Sequence, residues 1–128
     1  MNSDENRNRD PALPGLTVQL KVPTVAMQAG LSGTLEIDDS TNCLVVRSPI
    51  STAPGIDSLV DIDVAWPPGW SVALRDGALA LVDATGQVAC RLGDEITVGG
   101  GFIEPSRIGI VSCTGKGGVF EAYELTRT

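Results

Sequence analysis

The chain contains no histidine, and that absence removes more chemistry than any other feature of the sequence. Without imidazole there is no Ser-His-Asp or Cys-His nucleophile pair and no mixed His/Cys zinc site. Nor is there a side chain whose ordinary titration falls near neutral pH. Lysine is almost as scarce: Lys21 and Lys116 are the only two, and the seven arginines are scattered singly. Nucleic-acid binders draw most of their affinity from neutralising phosphates. A chain of net charge −7 without a basic patch is therefore expected to bind neither nucleic acid nor an anionic membrane surface. No run of about 18 apolar residues occurs, so no transmembrane segment is expected. Nucleophile motifs are missing too, with no GxSxG elbow and no SxxK pair. Gly115-Lys116-Gly117-Gly118 lacks the Ser or Thr that a phosphate loop requires after its lysine. No catalytic residue, cofactor or metal is expected.

What is present favours a β-built core. Hydrophobic residues make up 42% of the chain and charged residues 20%, a balance that supports folding rather than disorder. The length suits one domain. Residues 2–10 carry no apolar side chain, which predicts a disordered tail over 1–12 and a single β domain over 13–128.

Period-two alternation dominates the remainder, the pattern of strands with one buried face. It runs through Leu16–Val22, Leu31–Ile37, Val60–Trp66 and Val88–Leu92. Read literally, it places Asp61 and Asp63 on the outer face of the third segment and Trp66 on the inner one. Weaker strand signals lie at Asn42–Arg47, Ser71–Arg75, Ala78–Val82, Glu95–Val98, Arg107–Ser112 and Val119–Leu125. Asp76-Gly77 is the strongest hairpin signal, and Pro67-Pro68-Gly69 suits a type II turn. Gly99-Gly100-Gly101 reads as a tight turn or a place of close backbone approach. Short helical turns are expected only near Thr52–Ser58 or Glu104–Arg107. These signals predict an all-β fold of about 8 to 10 short strands, a small antiparallel barrel or a sandwich-like barrel. Closure is favoured because it removes exposed edges.

The candidate ligand-binding residues are Trp70, Trp66, Asp61 and Asp63. In a chain only 4% aromatic, a tryptophan after a Pro-Pro turn is suited to stacking on a sugar, an aromatic ligand or a peptide. The plainer reading closes one end of the fold with both indoles. Asp57, Asp61 and Asp63 group together, as do Asp38 and Asp39, but a calcium loop needs about 6 to 8 oxygens from a specific turn. An ordinary solvated face is the simpler interpretation. Cys43, Cys90 and Cys113 are too widely spaced for a redox or metal motif. They read either as buried small apolar groups or as one disulfide plus a free thiol, with all three pairings open.

Gly33-x-Leu35, Cys43-Leu44, Trp66-Pro67-x-Gly69, Gly93-Asp94 and Gly99-Gly100-Gly101 together resemble small uncharacterised β-domain proteins of high-GC Gram-positive bacteria, some of them lipoprotein-like. The resemblance covers roughly Leu31 to Phe102 and brings no established activity. It implies an envelope location, whereas the polar start of the chain, taken as native, implies the cytoplasm. The function expected is a non-enzymatic module that binds a partner protein or a small ligand. The alternatives are an envelope-associated assembly protein, acting through its odd cysteine, and a carboxylate enzyme acting on a glycan through Asp61 and Asp63.

Overall fold

A computed structural model describes residues 13–23, 27–53 and 56–127. The expected tail over 1–12 lies outside the described residues. Ten strands follow one another along the chain: β1 (Thr17–Val18), β2 (Ala29–Asp38), β3 (Cys43–Ala53), β4 (Ile56–Ile62) and β5 (Val64–Trp66), then β6 (Ser71–Arg75), β7 (Ala78–Val82), β8 (Val88–Arg91), β9 (Glu95–Ile103) and β10 (Val119–Arg127). A 3₁₀ turn over Pro105–Ile108 occupies one of the two places where a helical turn was expected. The other, Thr52–Ser58, overlaps the ends of β3 and β4.

The strands form a seven-stranded sheet in the order β1-β5-β10-β9-β2-β3-β4 and a three-stranded meander, β6-β7-β8. Pairing is antiparallel except at β5, which runs parallel to both β1 and β10. The large sheet is open, since β1 and β4 are its two unjoined edges. The closed barrel is therefore not formed, and the sandwich-like alternative describes the molecule. Burial that closure would have supplied comes instead from the meander. Leu81 and Cys90 of the small sheet share one core with Leu31, Leu35, Leu44, Val46, Val64, Val98 and Phe120 of the large one. Each such large apolar side chain, fully removed from water, contributes ~1.5–3 kcal/mol.

Where alternation and turn chemistry agree, the outcome matches. In β2, Leu31 and Leu35 are buried while the Ser32 hydroxyl lies 3.0 Å from that of Thr97 on β9. The β6–β7 hairpin turns at Asp76 and Gly77, both with positive φ, 56° and 78°. Gly69, at φ 86°, follows Pro68 in a turn closed by the Trp70 N–H to the Pro67 carbonyl.

Four expectations are corrected. Along Leu16–Val22 only Thr17–Val18 is strand, and the polar residues Thr17 and Gln19 are buried while Leu20 and Val22 are exposed. The alternation is present, but its phase is inverted past Leu16, which packs against the core. Val60–Trp66 is two strands rather than one. The chain leaves β3 after Ile62 and pairs with β10 from Val64, so the alternation breaks at the corner and Asp63 is buried rather than outward. Of the two readings of Gly99–Gly101 the tight turn is corrected, because these glycines continue β9, while the close backbone approach holds: a Cβ on Gly100 would stand 1.8 Å from the Glu121 carbonyl oxygen of β10. Finally, Arg107–Ser112 holds the end of the 3₁₀ turn and a loop, without strand pairing.

Candidate functional site

The four residues singled out in the sequence are drawn into the framework. Trp66 is fully buried and stacks on Trp70, with centroids 5.7 Å apart and planes 7° from parallel. Trp70 is half-buried and packs against the core, so one face of its indole is already covered. Asp63 is 1% exposed. Its carboxylate accepts hydrogen bonds from the hydroxyls of Thr17 and Thr114, both at 2.8 Å, and from the Thr114 N–H at 3.0 Å. Thr17 in turn accepts from the Cys113 N–H at 2.7 Å. Asp63 thereby ties β1 and the loop before β10 to the β4–β5 corner, the partners a buried carboxylate needs.

Cys113 of that loop forms a disulfide with Cys43 at the start of β3. It closes a loop of 70 residues, which in the chain-entropy view stabilises by ~4 kcal/mol. Cys90 is free and buried, and burial pushes its thiol up to about 12. Asp61 instead accepts two hydrogen bonds from the Arg47 guanidinium, at 2.7 and 3.1 Å. Asp38 takes hydrogen bonds from Ser40 and Thr41 within its own turn, and these hold its carboxyl below the usual range. Among the described residues no group of three or more His, Cys, Asp or Glu could hold a metal ion.

The concave site lies elsewhere, against the face of β9 and β10 that does not meet the meander. Glu121 lies opposite Gly101 in the register, and Val119 opposite Ile103. Since neighbouring residues alternate faces, Glu121 is turned away from Phe120 and Ala122, which belong to the core. Gly101 leaves this surface bare, and a Cβ there would come within 2.5 Å of the Met27 sulfur. The chain before β2 therefore rests directly on β9. The Tyr123 hydroxyl, beside the bulge between Ala122 and Glu124, donates to the Met27 carbonyl. Gln19 fixes the other side, its amide NH₂ donating to the carbonyls of Ala65 at 2.7 Å and Ala122 at 2.5 Å. The 3₁₀ turn completes the enclosure with Arg107 and Ile108.

The result is a cavity of about 800 Å³, within the size range of small-molecule sites. Leu20, Val22, Met27, Ile103 and Ile108 give it apolar walls, and Lys21 and Arg107 also line it. Leu20 and Val22 are 71% and 68% exposed, large apolar surface left uncovered beside the opening. Two polar groups stand out inside. Glu121 is 6% exposed, and its side chain makes no hydrogen bond among the described residues. Burial alone raises its carboxyl above the usual carboxylate range. Gln19 is 3% exposed, and its Oε1 has no hydrogen-bond partner. Gln19 Oε1 is sealed from the cavity, which leaves the nearly buried Glu121 carboxyl as the acceptor there that can take a donor from outside.

A second depression of about 660 Å³ lies over Ser32, Thr34, Arg47 and Leu59, but Ser32 and Arg47 there already have partners. The sequence signal for the first cavity was slight. Gln19 sits among alternating apolar residues and Glu121 between Phe120 and Ala122, and the simplest reading sends both to solvent. Comparison with protein-family models, with curated proteins and with solved structures finds no match to this chain.

Proposed function

We propose that this chain is a non-enzymatic binding module that takes a small organic ligand in the cavity behind β9 and β10. The observation that carries the reading is Glu121, a nearly buried carboxyl with no hydrogen bond among the described residues, lining an apolar-walled cavity. A ligand that fits brings N–H or O–H donors to Glu121 and an apolar body to Leu20, Val22 and Ile103. The glycan-enzyme alternative loses support because Asp61 and Asp63 serve different partners, Arg47 and the two threonines. Covalent assembly through a free cysteine loses support as well, with Cys90 buried and the other two joined. Disulfides persist in oxidising compartments, so the Cys43–Cys113 bond, together with the resemblance to lipoprotein-like envelope proteins, supports a location outside the cytoplasm. No helix among the described residues is long and apolar enough to cross a membrane.

Thermal unfolding with hexylamine, hexanol and butyramide tests the binding reading. The expected result is a raised midpoint with at least one donor-bearing compound, lost in Ile108→Trp, which blocks the cavity, and reduced in Glu121→Ala. Midpoints indifferent to all three compounds would remove the reading's support.

A further inference from the structure

We infer that the ligand is amphoteric, with an ammonium end seated on Glu121 and an anionic end, carboxylate or phosphate, held by Lys21 and Arg107. The inference rests on the cavity being the binding site and adds the charge pattern of what fills it. Lys21 and Arg107 are two of only nine basic residues in a chain with sixteen acidic ones, yet both line the same cavity and neither forms an ion pair among the described residues. Of the other described cations Arg127 is likewise unpaired, and the rest find partners, Arg75 on the Gly86 carbonyl. Arg47 holds Asp61, Arg91 reaches Asp76, and Lys116 donates to the Asp61 carbonyl.

Glu121 is the acid that lines the same cavity, and it forms no ion pair with either cation. Its carboxyl is shifted by burial, with no charge partner drawing it back. Lys21 and Arg107 are exposed and Glu121 is nearly buried, with the apolar walls of Leu20, Met27 and Ile103 in the same cavity. A purely anionic ligand would satisfy the exposed cations but leave Glu121 unpaired. A purely cationic one would satisfy Glu121 and meet repulsion from Lys21 and Arg107. A molecule with both charges separated by an apolar body meets all three groups, and an ammonium supplies three donors to the carboxyl.

Titration calorimetry on the full chain at neutral pH, with ε-aminocaproate, hexylamine and caproate as probes, tests this. ε-Aminocaproate is expected to bind tightest, by about tenfold over either single-charge probe, a margin equivalent to ~1.4 kcal/mol. In Glu121→Gln its advantage over caproate should shrink; in Lys21→Ala with Arg107→Ala its advantage over hexylamine should disappear. Both variants alter exposed or isosteric groups, and unchanged circular dichroism would establish that they fold. Hexylamine binding as well as ε-aminocaproate to the unaltered chain would overturn the amphoteric assignment while leaving the cavity as the site. Caproate binding tightest would do the same. No binding of any probe, in millimolar excess, would overturn both readings.

Discussion

Toward the meander, the large sheet presents Leu35, Leu44, Val46, Val64, Trp66 and Phe120, all fully buried and packed with Leu81 and Cys90 of the opposite layer. On its other side, β9 and β10 present Ile103 and Glu121 to a cavity lined also by residues 19–23, by Met27 and by Arg107 and Ile108 of one 3₁₀ turn. The first surface is sealed by a second sheet and carries one unsatisfied polar atom, Trp66 Nε1. The second is only partly covered and holds Glu121, a nearly buried carboxyl with no hydrogen bond among the described residues. A dense apolar interface maximises stability; an open one that tolerates buried polar groups gives up stability where a ligand is to be recognised. The contrast teaches where to look for function in a fold lacking catalytic motifs: on the side where burial has been left unfinished.

The comparison can be tested by altering each face in turn. Trp66→Ala should have the largest effect, a loss of ~3–5 kcal/mol for a fully buried aromatic, read as a lowered midpoint in chemical denaturation. A loss below 1 kcal/mol would mean the core face is not the stability-bearing one. Gly101→Ala should cost less, about 1–3 kcal/mol, because the added methyl displaces Met27 from β9. The same substitution should weaken binding of ε-aminocaproate by shifting a cavity wall, so an unaffected affinity would detach Met27 from the site.

Glu121→Gln should have the smallest effect and the opposite sign, a modest gain in stability at neutral pH. Burial raises the Glu121 carboxyl above its ordinary 4.5, so the folded chain holds a proton that the unfolded chain releases. Stability from this group is therefore fully present below that ordinary value and is lost as pH rises through the folded one. Melting curves across pH should show this decline in the unaltered protein and a flatter profile in Glu121→Gln. Identical profiles would show that the carboxyl is solvated rather than buried. Lys21 and Arg107, the charged groups that line the cavity with it, are unchanged in that comparison.

Much of the fold was legible in the chain because strand and turn signals are local. Asp76-Gly77 adopts the positive φ angles that its side chains tolerate, and the flanking Ser71–Arg75 and Ala78–Val82 pair in the register such a turn imposes. Alternation in Leu31–Ile37 located one buried face of β2 correctly. It failed at Val60–Trp66, where the strand exchanges β3 for β10 and β1 at Asp63. Beyond that corner β5 is buried along its whole length, and a two-residue period no longer distinguishes inside from outside.

The candidate site was less legible for a related reason. Alternation states that Thr17 and Gln19 share a face and that Leu20 and Val22 share the other, but not which face the rest of the molecule will cover. Amino-acid order alone determined an all-β chain without imidazole chemistry, its principal hairpins, and a core rich in aliphatic residues. Only the three-dimensional arrangement decided that the sheet stays open, that Cys43 joins Cys113, and that Asp63 is consumed by internal hydrogen bonds. It also decided that Gln19, 102 positions before Glu121 in the chain, lines the same cavity. Periodicity is a property of neighbours along the backbone, whereas burial is set by which distant strands arrive to cover them.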